Sequence, residues 1–211
     1  MKYIDAIIDF NNDPNVHKLR EFYNTKTFPE ILGVCRRELS HSSFLAWLFS
    51  SAESHMFGTL PVVQLLELFV KSALEQHRGD AKVLEELKYP VLTRQIELYS
   101  TVVSTEEYVE ADGKRGRADV VVSCEARLAK EDKPIRLRVV IENKVYSNEH
   151  DSQTNTYFKH YSRVRKAGEL IVFIYLSPCK QTALPECEHF VCITYQDLLD
   201  SIFAPCWIKR T

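Results

Sequence analysis

Residues 170–176 read Leu-Ile-Val-Phe-Ile-Tyr-Leu, an unbroken apolar run closed by Ser177-Pro178. A run this short and this uniformly apolar predicts a strand buried on both faces, because a half-exposed strand would alternate. A second such run centres on Val139, Val140 and Ile141, inside an expected strand over residues 136–143. Between them, from about residue 149 to 166, apolar positions recur at helical spacing, and Gly168 is the expected stop. Strand, helix and strand in that order predict a parallel pair joined by a right-handed crossover.

The flanks extend this unit. After Pro90, the β-type residues Val91, Leu92, Ile96, Leu98 and Tyr99 predict a first strand, which Val102 and Val103 extend. Residues 104–116 are polar around Asp112-Gly113, and a valine-rich run over 118–124 follows, so a hairpin is expected. A charged turn at 129–134 leads into the strand at 136–143. A short last strand is expected at 190–193, and Thr194-Tyr-Gln-Asp197 resembles a capping box opening a helix over 198–203.

Ahead of the sheet, residues 36–50 place Phe44, Leu45, Leu48 and Phe49 at helical spacing. A break at 54–59 follows, and Pro61 then stands in the first turn of a second helix reaching Gln76. The expected fold class is α/β, a central mixed β-sheet flanked by helices with an N-terminal helical section. We expect one domain over 1–211, helical to about 88 and sheet core from about 89 to 203, in a chain that could be a fragment of a longer protein.

The bulk numbers set limits on function. With 211 residues, 45% hydrophobic and 27% charged, the chain can bury a sizeable core. A net charge of -2 and a pI near 6.4 give no global field to hold a polyanion, so a nucleic-acid partner must be engaged locally. Lys114, Arg115 and Arg117 form one basic cluster, and Lys159, Arg163, Arg165 and Lys166 form another; each alone reads as a solvated face.

Six cysteines, at 35, 124, 179, 187, 192 and 206, include no Cys-x-x-Cys pair and are expected to be reduced thiols. A zinc site from Cys179, Cys187, His189 and Cys192 fits no standard ligand spacing. Asp5 and Asp9 argue against a signal peptide at the start, no apolar run approaches membrane length, and a cytoplasmic location is expected. The sequence has six glycines, no Gly-x-x-x-x-Gly-Lys-Ser/Thr, no Gly-x-Gly-x-x-Gly and no Gly-x-Ser-x-Gly, which removes the usual nucleotide-binding and serine-hydrolase readings.

The chemistry concentrates on Ile141-Glu142-Asn143-Lys144. On a strand, Glu142 and Lys144 leave from the same face. A carboxylate ending a buried run is costly unless a cation, a metal or hydrogen bonds compensate it. A second acid, Asp119 in Gly-Arg-Ala-Asp-Val-Val-Val, lies near the start of a strand able to pair beside the first. Two carboxylates are the usual protein share of a Mg²⁺ site, with water and phosphate oxygens supplying the rest. Glu97 on the first strand is a further candidate metal ligand, and Arg117, two before Asp119, a candidate substrate contact.

The pattern of Asp119 followed by Glu142-x-Lys144 resembles the PD-(D/E)XK phosphodiesterase superfamily, with Ala118 in the place of the family's proline. Glu38 with His41-Ser42-Ser-Phe-Leu-Ala-Trp47 resembles the opening Glu-x-x-His-Ser helix of a subgroup of bacterial and phage nucleases. Gln153-x-x-x-Tyr157 is similar to the Gln-x-x-x-Tyr that follows Glu-x-Lys in many members. Matching segments span residues 38–176.

The resemblance implies a restriction-endonuclease-like core and a nuclease that hydrolyses nucleic acid, with DNA favoured, by metal-activated water. Mg²⁺ is the implied cofactor, with Mn²⁺ as a substitute. Asp119, Glu142, Lys144, Gln153 and Glu38 are the implied catalytic residues, with Glu38 a third carboxylate at the metal. His41, Ser42 and Tyr157 are expected on the substrate side. The alternative is a catalytically inactive nuclease-like module that binds nucleic acid or another protein. Because the net charge is close to neutral, a homodimer or a further domain is expected to complete the groove.

Overall fold

The computed structural model describes residues 2–18, 37–128, 133–145, 149, 151–178 and 184–208. Cys35, Cys179 and part of the expected turn at 129–134 lie outside them. The chain clusters into two compact units, Met1–Arg37 and Glu38–Thr211. The first contains helix α1 (Lys2–Asn12), which carries Ile4, Ile7 and Ile8 exposed at helical spacing. No described helix is long and apolar enough to cross a membrane.

The second unit opens with helices α2 (Glu38–Phe49), α3 (Leu60–Gln76) and α4 (Ala81–Leu92). Then come strands β1 (Ile96–Ala111), β2 (Lys114–Leu128) and β3 (Ile135–Asn143), helix α5 (Gln153–Val164), and strands β4 (Leu170–Ser177) and β5 (Phe190–Thr194). Helix α6 (Tyr195–Leu198), a π-helical segment Leu199–Phe203 and helix α7 (Ala204–Ile208) follow. The capping box is present at Thr194 and Asp197.

The five strands form one sheet in the order β1-β2-β3-β4-β5, antiparallel across the first two pairs and parallel across the last two. The mixed, helix-flanked sheet is the expected restriction-endonuclease-like α/β architecture.

Alternation along the strands divides the core. Val139, Ile141, Val172, Ile174 and Val191 pack with Leu45, Phe49, Leu66 and Phe69 of α2 and α3, whereas Val140, Phe173 and Phe190 pack with Tyr157 and Tyr161 of α5. Each fully buried Leu or Phe contributes roughly 1.5–3 kcal/mol of transfer free energy. Both faces of β3 and β4 are therefore covered, which is why their sequences do not alternate.

One expectation is corrected and another extended. Val91 and Leu92 are helical, not the start of a strand. The Asp80 carboxylate accepts hydrogen bonds from the Lys82 and Val83 amides and caps α4. Val83, Leu87, Pro90 and Val91 are buried at helical spacing, so packing keeps Pro90 in the last turn. The expected hairpin at Asp112-Gly113 is present but its strands are longer than their apolar runs, because β1 runs through to Ala111 and β2 starts at Lys114. Only Asp112 and Gly113 turn, with φ of 53° and 76°, the positive values that a tight two-residue hairpin needs.

This long hairpin changes face partway along. Val103 and Val120 pack toward α2 and α3, while Val109 and Ala118 pack toward α5. The step falls at Glu106, whose φ is 55°, and at Asp119 across from it, between the pairs Thr105–Val120 and Glu107–Ala118. Asp119 is thus set between the two cores, at the end of the sheet where the parallel strands finish.

Candidate active site

Strand β3 delivers Glu142, Asn143 and, one residue past its end, Lys144. The Lys144 amide donates to the Leu176 carbonyl at 2.8 Å, so the parallel ladder continues under it. Val120 pairs with Ile141, which brings Asp119 alongside the end of β3. There the Asp119 Oδ2 accepts a hydrogen bond from the Asn143 amide at 2.6 Å.

Glu142 is 1% exposed, and its Oε1 lies 2.8 Å from the Lys144 Nζ. Its Oε2 is buried with no hydrogen-bond partner. Burial pushes the Glu142 carboxyl up to about 8, aided by the neighbouring charge of Asp119, against the pull of Lys144. Burial also raises Asp119 to about 6, although its bond from Asn143 and the charge of Lys144 oppose this. Burial alone would lower Lys144, but the charge and hydrogen bond of Glu142, with Asp119 and Glu38, carry it above its ordinary value. Lys144 is only 7% exposed, so it is a packed side chain.

Helix α2 meets this centre through its first turn. The Glu38 carboxylate accepts the Val145 amide at 3.2 Å. The Asn143 side-chain amide donates to the Glu38 carbonyl at 3.3 Å and to the Ser42 Oγ at 3.2 Å, and it accepts the Tyr195 hydroxyl at 2.6 Å. His41 stands edge-on to Tyr195, with ring centroids 5.5 Å apart. Glu38 therefore approaches the acids, Ser42 is a buried strut, and His41 lies beside Tyr195.

Helix α5 supplies the opposite wall. The Gln153 Nε2 donates to the Tyr157 hydroxyl at 3.1 Å, and the Tyr157 hydroxyl donates to the Arg117 carbonyl at 2.7 Å. Tyr157 is fully buried, and burial with the charges of Glu142 and Asp119 holds its phenol protonated. A Cβ on Gly116 would lie 2.9 Å from the Tyr157 ring, so that position needs glycine. The Gln153 Oε1, like the Glu142 Oε2, is buried without a partner. The Glu149 carboxylate caps α5, accepting both the amide and the hydroxyl of Thr154.

The structure thus brings Asp119, Glu142, Lys144, Glu38, Ser42, Gln153 and Tyr157 to one end of the sheet. It does not bring Glu97 there. Glu97 pairs with Arg127 at the other end of β1, and the nine residue steps from Glu97 to Glu106 correspond to roughly 30 Å at the usual strand rise. Arg117 is exposed, and its guanidinium lies 3.6 Å from Glu106 rather than against the acids.

Glu106, Asn143 and Tyr195 were not apparent from sequence. Glu106 acts on Asp119 through charge across the hairpin, and the other two act through bonds between distant segments. Asn143 did have a local signal, as an amide at the end of a buried strand, which demands partners.

Among the described residues, no three or more His, Cys, Asp or Glu side chains gather as a ready metal cage. Two carboxylates, one with an unpartnered buried oxygen, beside a lysine that itself lines a cleft, fit a hard cation that draws its other ligands from water and substrate. Soft or fully caged metals do not fit this oxygen-only donor set.

Compared with known families, residues 28–208 match the PD-(D/E)XK nuclease superfamily. The match covers most of the chain, which belongs to that superfamily. No curated protein and no solved structure matches it.

Proposed function

We propose that this chain is a divalent-metal-dependent nuclease that hydrolyses phosphodiester bonds in nucleic acid, with DNA as the preferred polymer and Mg²⁺ as the ion, replaceable by Mn²⁺. The buried, partnerless Glu142 Oε2 beside Asp119 carries this reading. Left so, it is a destabilising arrangement that a bound cation would relieve.

Asp119 and Glu142 would hold the ion, with Glu38 close enough to take part through a bridging water. Bound there, the ion supplies charge neutralisation to phosphate oxygens and lowers the pKa of water. Lys144, fixed by Glu142 and by its backbone bond to Leu176, presents positive charge to the phosphate as negative charge develops on it. The free Gln153 Oε1 accepts a hydrogen bond from the attacking water and orients it, while the Gln153 amide is anchored on Tyr157. His41 and Arg117 would contact substrate outside the acids, and a homodimer in a cytoplasmic setting would double the area available to substrate.

The test is cleavage of single-stranded DNA, duplex DNA and RNA with Mg²⁺, Mn²⁺ or EDTA, beside Asp119→Ala. Metal-dependent cleavage that disappears in the variant supports the reading and identifies the polymer. No cleavage in any arm leaves the inactive nucleic-acid-binding or protein-interaction module as the better account.

A further inference from the structure

We propose that Lys114 and Arg115, at the tip of the β1–β2 hairpin, form a second phosphate-binding site that grips the nucleic-acid backbone a few nucleotides from the bond cleaved at Lys144. The proposal rests on the nuclease reading for its choice of ligand.

The first observation is spatial. A cleft of about 480 Å³ is lined by Lys114 and Arg115 together with Lys144, Gln153 and Tyr157. A chain with one phosphate at Lys144 must lay its neighbours along this cleft. Arg115 and Lys114 stand four and five residues before Asp119 on β2, about 13 to 17 Å at the usual strand rise, a distance spanned by a few phosphates of one strand.

The second observation concerns which cations are available. The chain is close to neutral, so the basic residues not held by acids decide where a polyanion binds. On α5, Lys159 and Arg163 both bind the Asp112 carboxylate. Their hydrogen bonds hold Asp112 down to about 2, so it stays ionised; these pairs are exposed like that of Arg115, and what sets Lys114 and Arg115 apart is that they line the cleft with Lys144. Arg117 faces Glu106. The Lys114 Nζ instead donates to a backbone carbonyl, that of Asp151, at 2.9 Å. The Arg115 Nε lies 3.5 Å from Glu110 in an exposed pair, a contact that phosphate can replace at little cost. Among the described lining residues the acid is Asp151.

The third observation is that the hairpin tip is fixed. Besides the two ion pairs at Asp112, the Glu110 amide donates to the His160 Nδ1 at 3.2 Å. The cations of Lys114 and Arg115 are therefore carried on a strand tied to α5, and little ordering is left to be done when substrate binds.

The test measures binding without cleavage. A fluorescent oligonucleotide is titrated with the full chain in EDTA at several salt concentrations, for two unrelated sequences. The comparison is wild type, the double variant Lys114→Ala/Arg115→Ala, and Lys88→Ala as a control, since Lys88 pairs with Glu85 on the exposed side of α4. Losing two phosphate contacts should make the slope of log K against log salt shallower by roughly 1.4 to 1.8, equally for both sequences, with Lys88→Ala unchanged. The melting temperature of the double variant should match wild type, because both side chains are exposed. An unchanged slope, an equal effect from Lys88→Ala, or no binding by wild type overturns the proposal. The nuclease reading fails separately, by absence of cleavage when Mg²⁺ or Mn²⁺ is added.

Discussion

Strand β3 carries a buried ion pair at each end, and the two are built differently. Near its start, Arg138 lies 3.0 Å from the Glu169 Oε1, while the Glu169 Oε2 accepts the Lys166 amide at 2.9 Å. The guanidinium also lies over the Tyr161 ring, 5.5 Å from its centroid. Past its other end, Lys144 pairs with one oxygen of Glu142, the second oxygen has no partner, and a second carboxylate, Asp119, stands beside it. Both glutamates are almost wholly buried. The first pair is closed on its carboxylate, each oxygen satisfied by protein, and the buried atom without a partner there is on the cation, the Arg138 Nε. The second is open, and its excess negative charge has a use only if something else enters.

The sharpest break between the two ends should come in activity. Lys144→Ala should reduce cleavage by about 10²–10³-fold, the usual loss when one preorganised donor to a developing charge is removed. Its effect on folding should be small despite the burial of Lys144, because Glu142, already pushed up to about 8, takes a proton when its partner goes. Chemical denaturation and a single-turnover assay on the same preparation separate the two effects. A collapsed fold with cleavage intact in the remaining folded fraction would mean that Lys144 is structural.

At the closed end the order reverses. Glu169→Ala strands the Arg138 guanidinium and should cost about 3–5 kcal/mol, as removal of one partner from a buried pair does. The rate of cleavage by the folded protein should stay near wild type. If the rate falls as Lys144→Ala makes it fall, the two ends are coupled through β3 and the distinction between them fails.

A smaller effect comes from pH. Glu142 and Asp119 have folded pKa values raised above their unfolded ones, so the folded state binds more protons in the window between. Stability without metal is then highest at low pH and falls as pH rises, from about 4 to 6 through Asp119 and on to about 8 through Glu142. Glu142→Gln should remove the fall between pH 6 and 8 and add about 1–2 kcal/mol at pH 8 in EDTA, while ending cleavage. For wild type, Mg²⁺ should raise the melting temperature more at pH 8 than at pH 6, since the ion competes with these protons. A flat wild-type profile in EDTA would place the Glu142 charge in a better-compensated setting than its unpaired Oε2 indicates.

The same contrast explains what could be read from the sequence. The uniform apolar runs of β3 and β4 marked a sheet covered on both faces, and Glu142 and Lys144 stood out because charges at the end of such a run need a reason. The helical spacing of apolar residues in α2 and α3 was equally plain. Helix α4 was hidden because Pro90 reads as a breaker, although the Asp80 cap three residues before Val83 was a usable start signal. The distal half of β1 was hidden because an edge strand with Glu106, Glu107 and Glu110 has the polarity of a loop. Glu106 and Tyr195 depend on strand register and on packing between segments far apart in the chain, which no local pattern encodes.

Register is also what removes Glu97 from the site, and this gives the smallest expected effect. Glu97 and Asp119 are acids on adjacent antiparallel strands, and from sequence alone they could have faced one another. The observed pairing sets Glu97 opposite Arg127 instead, with both side chains about half exposed, while Glu106 takes the place across from Asp119. Glu97→Ala should therefore change neither the melting temperature nor the cleavage rate, because an exposed pair contributes little and its charge lies far from the acids. Glu106→Ala, by contrast, removes a negative charge that raises Asp119 and should move the acidic limb of the cleavage profile to lower pH. Cleavage that depends on Glu97 and ignores Glu106 would mean that β1 is paired in another register, and the centre built here on Asp119 would have to be redrawn with it.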